Sequence, residues 1–249
     1  LDLKCVDILT MDSVVLDKIV KLKTRTFAQR CMQVLKNLQV LNVDNCRLSE
    51  LPDLPPRLQT LQVSGNRLVT LPLLPPTLVI LYCSSNQLVT LPPLPGTLQA
   101  LDCNNNALVT LPPLPPRMHK LYCHNNVLNV LPALPPALQI MDCWNNPLGE
   151  FPTIPPMVTV LYCSSNRLTR LPPLPLTLHT LDCNDNQLTA LPKLPPCLEQ
   201  LYCHDNQLTE LPELPHSLRI LHCNDNLLTK VPTRPPRLQQ LYCYNNPLV

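Results

Sequence analysis

Read in rows of twenty, the sequence from Leu51 onward repeats itself. Leu51-Pro52-Asp53-Leu54-Pro55-Pro56-Arg57-Leu58, followed by Leu61, Val63, Asn66 and Leu68, makes one unit. The same unit restarts at Leu71, Leu91, Leu111, Leu131, Phe151, Leu171, Leu191, Leu211 and Val231, giving ten in-register copies. A divergent earlier copy carries Leu38, Leu41, Val43, Cys46 and Leu48. A period this short and regular points to one elongated array, because a single copy cannot bury its apolar face and must stack on its neighbours.

The composition follows from the repeat. Of 249 residues 32 are Pro and 3 are Gly. An interior Pro costs a helix about 3 kcal/mol, so an ordinary helical protein is excluded. Disorder is excluded too: Pro and Gly are about 14% of the chain, below the roughly 25–30% of a disordered tract, and 45% of residues are hydrophobic. Placed in register, the back-to-back prolines predict an extended, polyproline-like course on the convex side. The segment Leu61 to Val63 alternates inward and outward, which suits a short strand in a parallel ladder. Asn66 and its equivalents have two amide donors and a carbonyl acceptor with which to satisfy turn backbone inside the stack. Eleven strands at about 4.8 Å spacing give a stack on the order of 50 Å long.

The pattern L-x-x-L-x-(V/C)-x-x-N-x-L, with Cys46 in the Asn slot, identifies residues 38–249 as a leucine-rich repeat array. The 20-residue unit with Leu-Pro-x-Leu-Pro-Pro-x-Leu resembles the bacterial-effector class, the YopM-like and IpaH-like secreted effectors. Cys-containing arrays of this kind also resemble predicted proteins of giant DNA viruses. The resemblance implies an α/β repeat solenoid: a horseshoe with a parallel concave β-sheet, an extended convex side and an N-terminal helical cap. In the effector family the array binds host proteins and is sometimes followed by a ubiquitin-ligase domain, which nothing in this chain matches.

Residues 1–37 lack the repeat and are expected to form the cap. Val15, Ile19 and Leu22 are at helical spacing within Met11 to Leu22, and Asp12 or Ser13 suits an N-cap. Phe27, Cys31, Val34, Leu35 and Leu38 continue an apolar face, so two short helices are expected over the first strand edge. Seven basic residues against four Asp in this segment read as a solvated helical face. At the other end, Val249 closes the last unit with no polar capping segment. The edge there is expected to be continued by further sequence, or covered by self-association or a partner chain.

Outward strand residues are expected to line the concave face. The residue before each repeat Cys runs Tyr82, Asp102, Tyr122, Asp142, Tyr162, Asp182, Tyr202, His222 and Tyr242. Two residues on lie His124, Trp144, His204 and Tyr244. Duplication of repeat pairs explains the alternation without function, and cross-strand Tyr–Asp hydrogen bonds would make it structural. Alternatively it is a binding stripe for a protein partner, since Tyr and Trp are enriched in interface hot spots. Asp185, Asp205 and Asp225 would tilt that stripe toward a basic partner.

Nine of the 13 Cys, from Cys83 to Cys243, recur every 20 residues in the slot of Val43 and Val63. They are expected to act as small buried hydrophobes in a reducing intracellular compartment: the cytoplasm, that of a host, or a virion. Cys197, in the convex loop, is expected to be more exposed and reactive. His204, Asp205, His222 and Asp225 could neighbour one another, but their columns vary freely and imply surface drift rather than a metal site. No cofactor motif, Gly-rich phosphate loop or Ser–His–Asp set is present, so enzyme activity is not expected. Net charge +2 gives no drive toward nucleic acid, and no run of roughly 18 apolar residues spans a bilayer. The expected function is non-enzymatic recognition of a protein on the concave face, as effectors do. The alternative is a structural role, such as a virion component held by lateral and end contacts.

Overall fold

The computed structural model describes residues 10–11, 36–230 and 233–249. The chain divides into two units, Leu1–Asn126 and Val127–Val249. In the first, β1 (Thr10–Met11), β2 (Val40–Asn42), β3 (Thr60–Gln62), β4 (Ile80–Tyr82), β5 (Ala100–Asp102) and β6 (Lys120–Tyr122) pair in parallel in chain order. In the second, β7 (Ile140–Asp142), β8 (Val160–Tyr162), β9 (Thr180–Asp182), β10 (Gln200–Tyr202), β11 (Ile220–His222) and β12 (Gln240–Tyr242) do the same. From β2 onward each register step is 20 residues, so each unit is a solenoid of one-strand turns.

The inward side chains follow the repeat. Leu58, Leu61, Val63 and Leu68 are fully buried, as are Leu178, Leu181, Cys183 and Leu188 in the second unit. Full burial of each Leu contributes about 1.5–3 kcal/mol relative to exposure. Cys83, Cys103 and Cys123, and the repeat cysteines from Cys143 to Cys223, are buried in the Val slot, and Cys243 is half-buried. Burial pushes the Cys103 and Cys183 thiols far up, and that of Cys223 to about 12. A neutral thiol packs as an apolar group.

The Asn column closes each turn. Asn86 Nδ2 donates to Val63 O of the preceding repeat (2.9 Å) and to Cys83 O of its own (3.1 Å). Its Oδ1 accepts from the Leu68 N–H at 3.0 Å. Asn126 and Asn226 repeat the pattern while buried. An amide is the one side chain that both donates to and accepts from two successive backbones here.

The residue just before this slot has positive φ in every repeat, from Asn45 (57°) and Gly65 (68°) to Asp225 (54°) and Asn245 (54°). Asn, Asp and Gly are the residues that tolerate the left-handed region. At Gly65 a Cβ would also overlap the Asn45 side chain.

Among the described residues the convex side contains no helix or strand between successive strands. Its proline pair ends in a turn rather than a continued extended run. Leu58 N–H donates to Pro55 O (3.2 Å), Met118 N–H to Pro115 O (3.1 Å) and Leu238 N–H to Pro235 O (3.1 Å). The residues at the turn centre have no positive φ, which makes the turn type I with Pro56, Pro116 and Pro236 at its second position, where φ near −65° is wanted.

The expected helical cap is not found. Among the described residues there is no helix, and Met11, expected at a helix start, lies in β1 opposite Leu41. Leu38, read both as the first residue of the divergent repeat and as the end of the cap's apolar face, occupies the inward Leu slot ahead of β2, as the repeat reading expects. The physical reason is the edge of β2, whose unpaired backbone groups recruit a parallel strand. The rest of both expected helices, residues 12–35, lies outside the described residues.

Candidate functional site

From β2 to β11 the third residue of each strand follows a buried Leu or Met, and in β12 it follows the half-buried Leu241. In the first unit Tyr82, Asp102 and Tyr122 stand side by side on β4, β5 and β6, each half-buried, with His124 two residues beyond β6. In the second unit Asp142, Tyr162, Asp182, Tyr202, His222 and Tyr242 form one row across β7–β12. Trp144, His204 and Tyr244 occupy the parallel column. Asp142 is buried, Trp144 and His204 half-buried, and Tyr242 and Tyr244 exposed. Within each unit the structure therefore places the expected residues on one strand face.

Asp102 and Asp182 are held from within their own repeats. Asp102 Oδ1 accepts from the Asn104 side chain (2.6 Å) and backbone (3.2 Å). Asp182 accepts from Asn184 in the same way (2.8 and 3.3 Å). Burial raises both carboxyls above their ordinary range, opposed by these hydrogen bonds and by His124 and His204 respectively. Thus Asp-Cys-Asn is a local clasp at Asp102 and Asp182, whereas Trp144 stands in the Asn position after Asp142.

The far end of the row is different in kind. His222 meets Tyr202 edge-on (5.0 Å, 89°) and stacks on Tyr242 (4.3 Å, 27°). His204 is 6.2 Å from His222, and Tyr244 is 6.4 Å from Tyr242. Burial, then the His204 charge, holds His222 below 6.5, against a hydrogen bond with Gln240. The Tyr202 hydroxyl is raised by burial, then by Asp182.

Asp185, Asp205 and Asp225, read from sequence as charge, are first of all the left-handed turn residues. Asp225 accepts from Asn224 (2.6 Å) and Asn245 (2.7 Å), which holds its carboxyl below the usual range. Asp205 lies 3.8 Å from His204 Nε2. The recurrence of Asn, Asp, Ser and Gly in this column was the signal for the turn. Among the described residues no three His, Cys, Asp or Glu side chains come together to hold a metal ion.

Cys197 is half-buried rather than open, and its thiol donates to Leu176 O and Leu178 O (2.7 and 3.3 Å). Thr77, Thr97, Thr177 and Ser217 use hydroxyls for the same pair of carbonyls in their repeats. Cys197 thus replaces a hydroxyl in a convex ladder that sequence reasoning missed. The Thr and Ser at that slot were its only sign.

Family models described as leucine-rich repeats match residues 37–56 and, as two copies, residues 176–216. YopM from Yersinia pestis, solved as a leucine-rich effector protein, is 31% identical, with 86% of this chain and 79% of that one covered and a TM-score of 0.52. The chain is a leucine-rich repeat protein. YopM from Yersinia enterocolitica is 33% identical at a TM-score of 0.81, with 86% of this leucine-rich repeat chain covered; the chain spans 56% of that structure. The functional domain of InlJ from Listeria monocytogenes, which includes a cysteine ladder, is 27% identical at a TM-score of 0.70, with 80% and 47% covered. No curated protein sequence matches the chain. The leucine-rich repeat fold is consistent with a protein-interaction module, and the array resembles those of the bacterial effectors. Among the described residues no helix is long and apolar enough to cross a membrane.

Proposed function

We propose that the chain recognises a protein through the outward face of its strands, the face expected from the sequence to be concave, in the manner of an effector recognition module. The observation that carries this reading is the row of half-buried and exposed Tyr rings held in register on a ladder whose inner columns are fully packed. A ring fixed at its base and open at its tip loses little entropy on binding and offers both apolar area and a hydroxyl. The likeness to YopM, an effector protein, supports recognition over catalysis, and the buried thiols support a reducing compartment.

The test is capture of partners on the immobilised chain, comparing wild type with Trp144→Ala/Tyr162→Ala and with a convex-side control, Leu73→Ala. A partner lost at least tenfold from the strand-face variant and kept by the control bears the reading out. Equal capture by both variants overturns it.

A further inference from the structure

On the strand face of β10–β12 the rings touch one another. His222 lies between Tyr202 and Tyr242, and Tyr244 and His204 flank them. Tyr242 and Tyr244 are 47% and 58% exposed, so ring faces are open to a partner. Around them stand Asp182, the register neighbour of Tyr202, and the turn residues Asp205 and Asp225. The three outward columns from residue 182 to residue 245 contain neither Lys nor Arg. Arg219, one residue before β11, faces Glu199 at 3.6 Å.

Aromatic faces carry negative quadrupole charge, and carboxylates beside them add to it, so both select a cation. A phosphate-rich ligand is disfavoured by the same charges. We propose that this patch receives arginine and lysine side chains from a basic segment of the partner protein. The inference rests on the strand face being the binding surface, and it names the partner's chemistry. A guanidinium fits better than a compact ammonium, because it stacks flat on Tyr242 or Tyr244 while its edge meets a carboxylate.

The site also carries its own competitor. His222 faces Tyr202 and His204 from the β10 side and Gln240 and Tyr242 from β12. A proton on His222 places a positive charge between the rings that would hold the partner's cation. At neutral pH His222 is neutral and the rings are available; acidification charges it and weakens binding. Asp182, held above the ordinary carboxylate range, loses its charge in the same direction.

The experiment measures binding of a fluorescent oligo-arginine peptide, and of an oligo-glutamate control, to the full chain. One variant is Tyr202→Gln/Tyr242→Gln, which uses the residue that Gln62 supplies in this column. The second is Asp205→Asn/Asp225→Asn; Asn105, Asn125, Asn145 and Asn245 already adopt the same backbone, so the fold is kept. The expected result is binding of oligo-arginine alone, weakened about tenfold by each variant. Binding should also fall as pH drops below 6.5, less steeply in His222→Gln. Failure of oligo-arginine to bind, or equal binding by both variants and wild type, overturns the proposal. If partner capture still depends on Trp144 and Tyr162 in that event, strand-face recognition stands and only the basic-segment inference falls. Capture indifferent to Trp144 and Tyr162 removes the underlying reading instead.

Discussion

Tyr82–Asp102–Tyr122 in the first unit and Tyr202–His222–Tyr242 in the second occupy the same column of the repeat, three strands each. Their inner columns carry Leu, Cys and Asn in the same slots; the Leu and Cys are buried except at the β12 edge, where Leu241 and Cys243 are half-buried. They differ in the middle residue. Asp102 turns to Asn104 of its own repeat. His222 instead bridges Tyr202 and Tyr242 into one stack. One side chain on a fixed scaffold thus decides whether the middle of an outward row is a carboxylate held by its own repeat or a ring stacked on its neighbours.

The largest expected effect tests whether the scaffold really is common to both. Asn126→Ala and Asn226→Ala each leave a Leu N–H unsatisfied in buried surroundings and take one of two amide donors from Cys103 O and Cys203 O, which Asn106 and Asn206 still serve. Each should cost about 3 kcal/mol in urea unfolding. Losses differing by more than about 1 kcal/mol would break the equivalence of the two regions.

A smaller effect converts one row into the other. His222→Asp removes one stacked and one edge-on ring contact and should cost about 1–2 kcal/mol, with loss of the tyrosine near-ultraviolet dichroism. An unchanged melting temperature and spectrum would mean that the rings do not act as a unit.

The smallest effect is in the pH dependence, where the two middle residues have opposite signs. The folded state lowers His222, so the unfolded chain binds the extra proton. Its stabilising contribution is present above 6.5 and is lost as pH falls through the folded value. The folded state raises Asp102, so its contribution is present below 3.8 and is lost as pH rises through the folded value. His222 should therefore titrate below 6.5 by NMR. Asp102→Asn should be neutral to slightly stabilising near pH 7, because burial no longer opposes a charge there. A His222 midpoint above 6.5, or marked destabilisation by Asp102→Asn, would reverse the contrast.

Much of the molecule was legible from the period. The strands, the buried Cys column and the Asn ladder each need one residue type at one slot, so repetition exposed them. The left-handed turn was equally periodic at Asn45, Gly65 and Asp225, but its acidic members were read as charge, because φ leaves only a compositional trace. The cap reading failed at Met11 because helical spacing of apolar residues cannot register a nearby open strand edge. Cys197 looked exceptional in sequence and proved ordinary once its two carbonyl partners were placed.

The sequence alone determined the one-strand turn: what faces inward, what closes the backbone and where the proline turn reverses the chain. Those choices act between neighbours in a fixed period and recur until they are unmistakable. Only the tertiary structure decided what the outward residues do to one another. Tyr202, His222 and Tyr242 are 20 residues apart, and whether their rings stack depends on strand register and on which neighbour each side chain prefers. Spacing leaves that preference open; packing settles it.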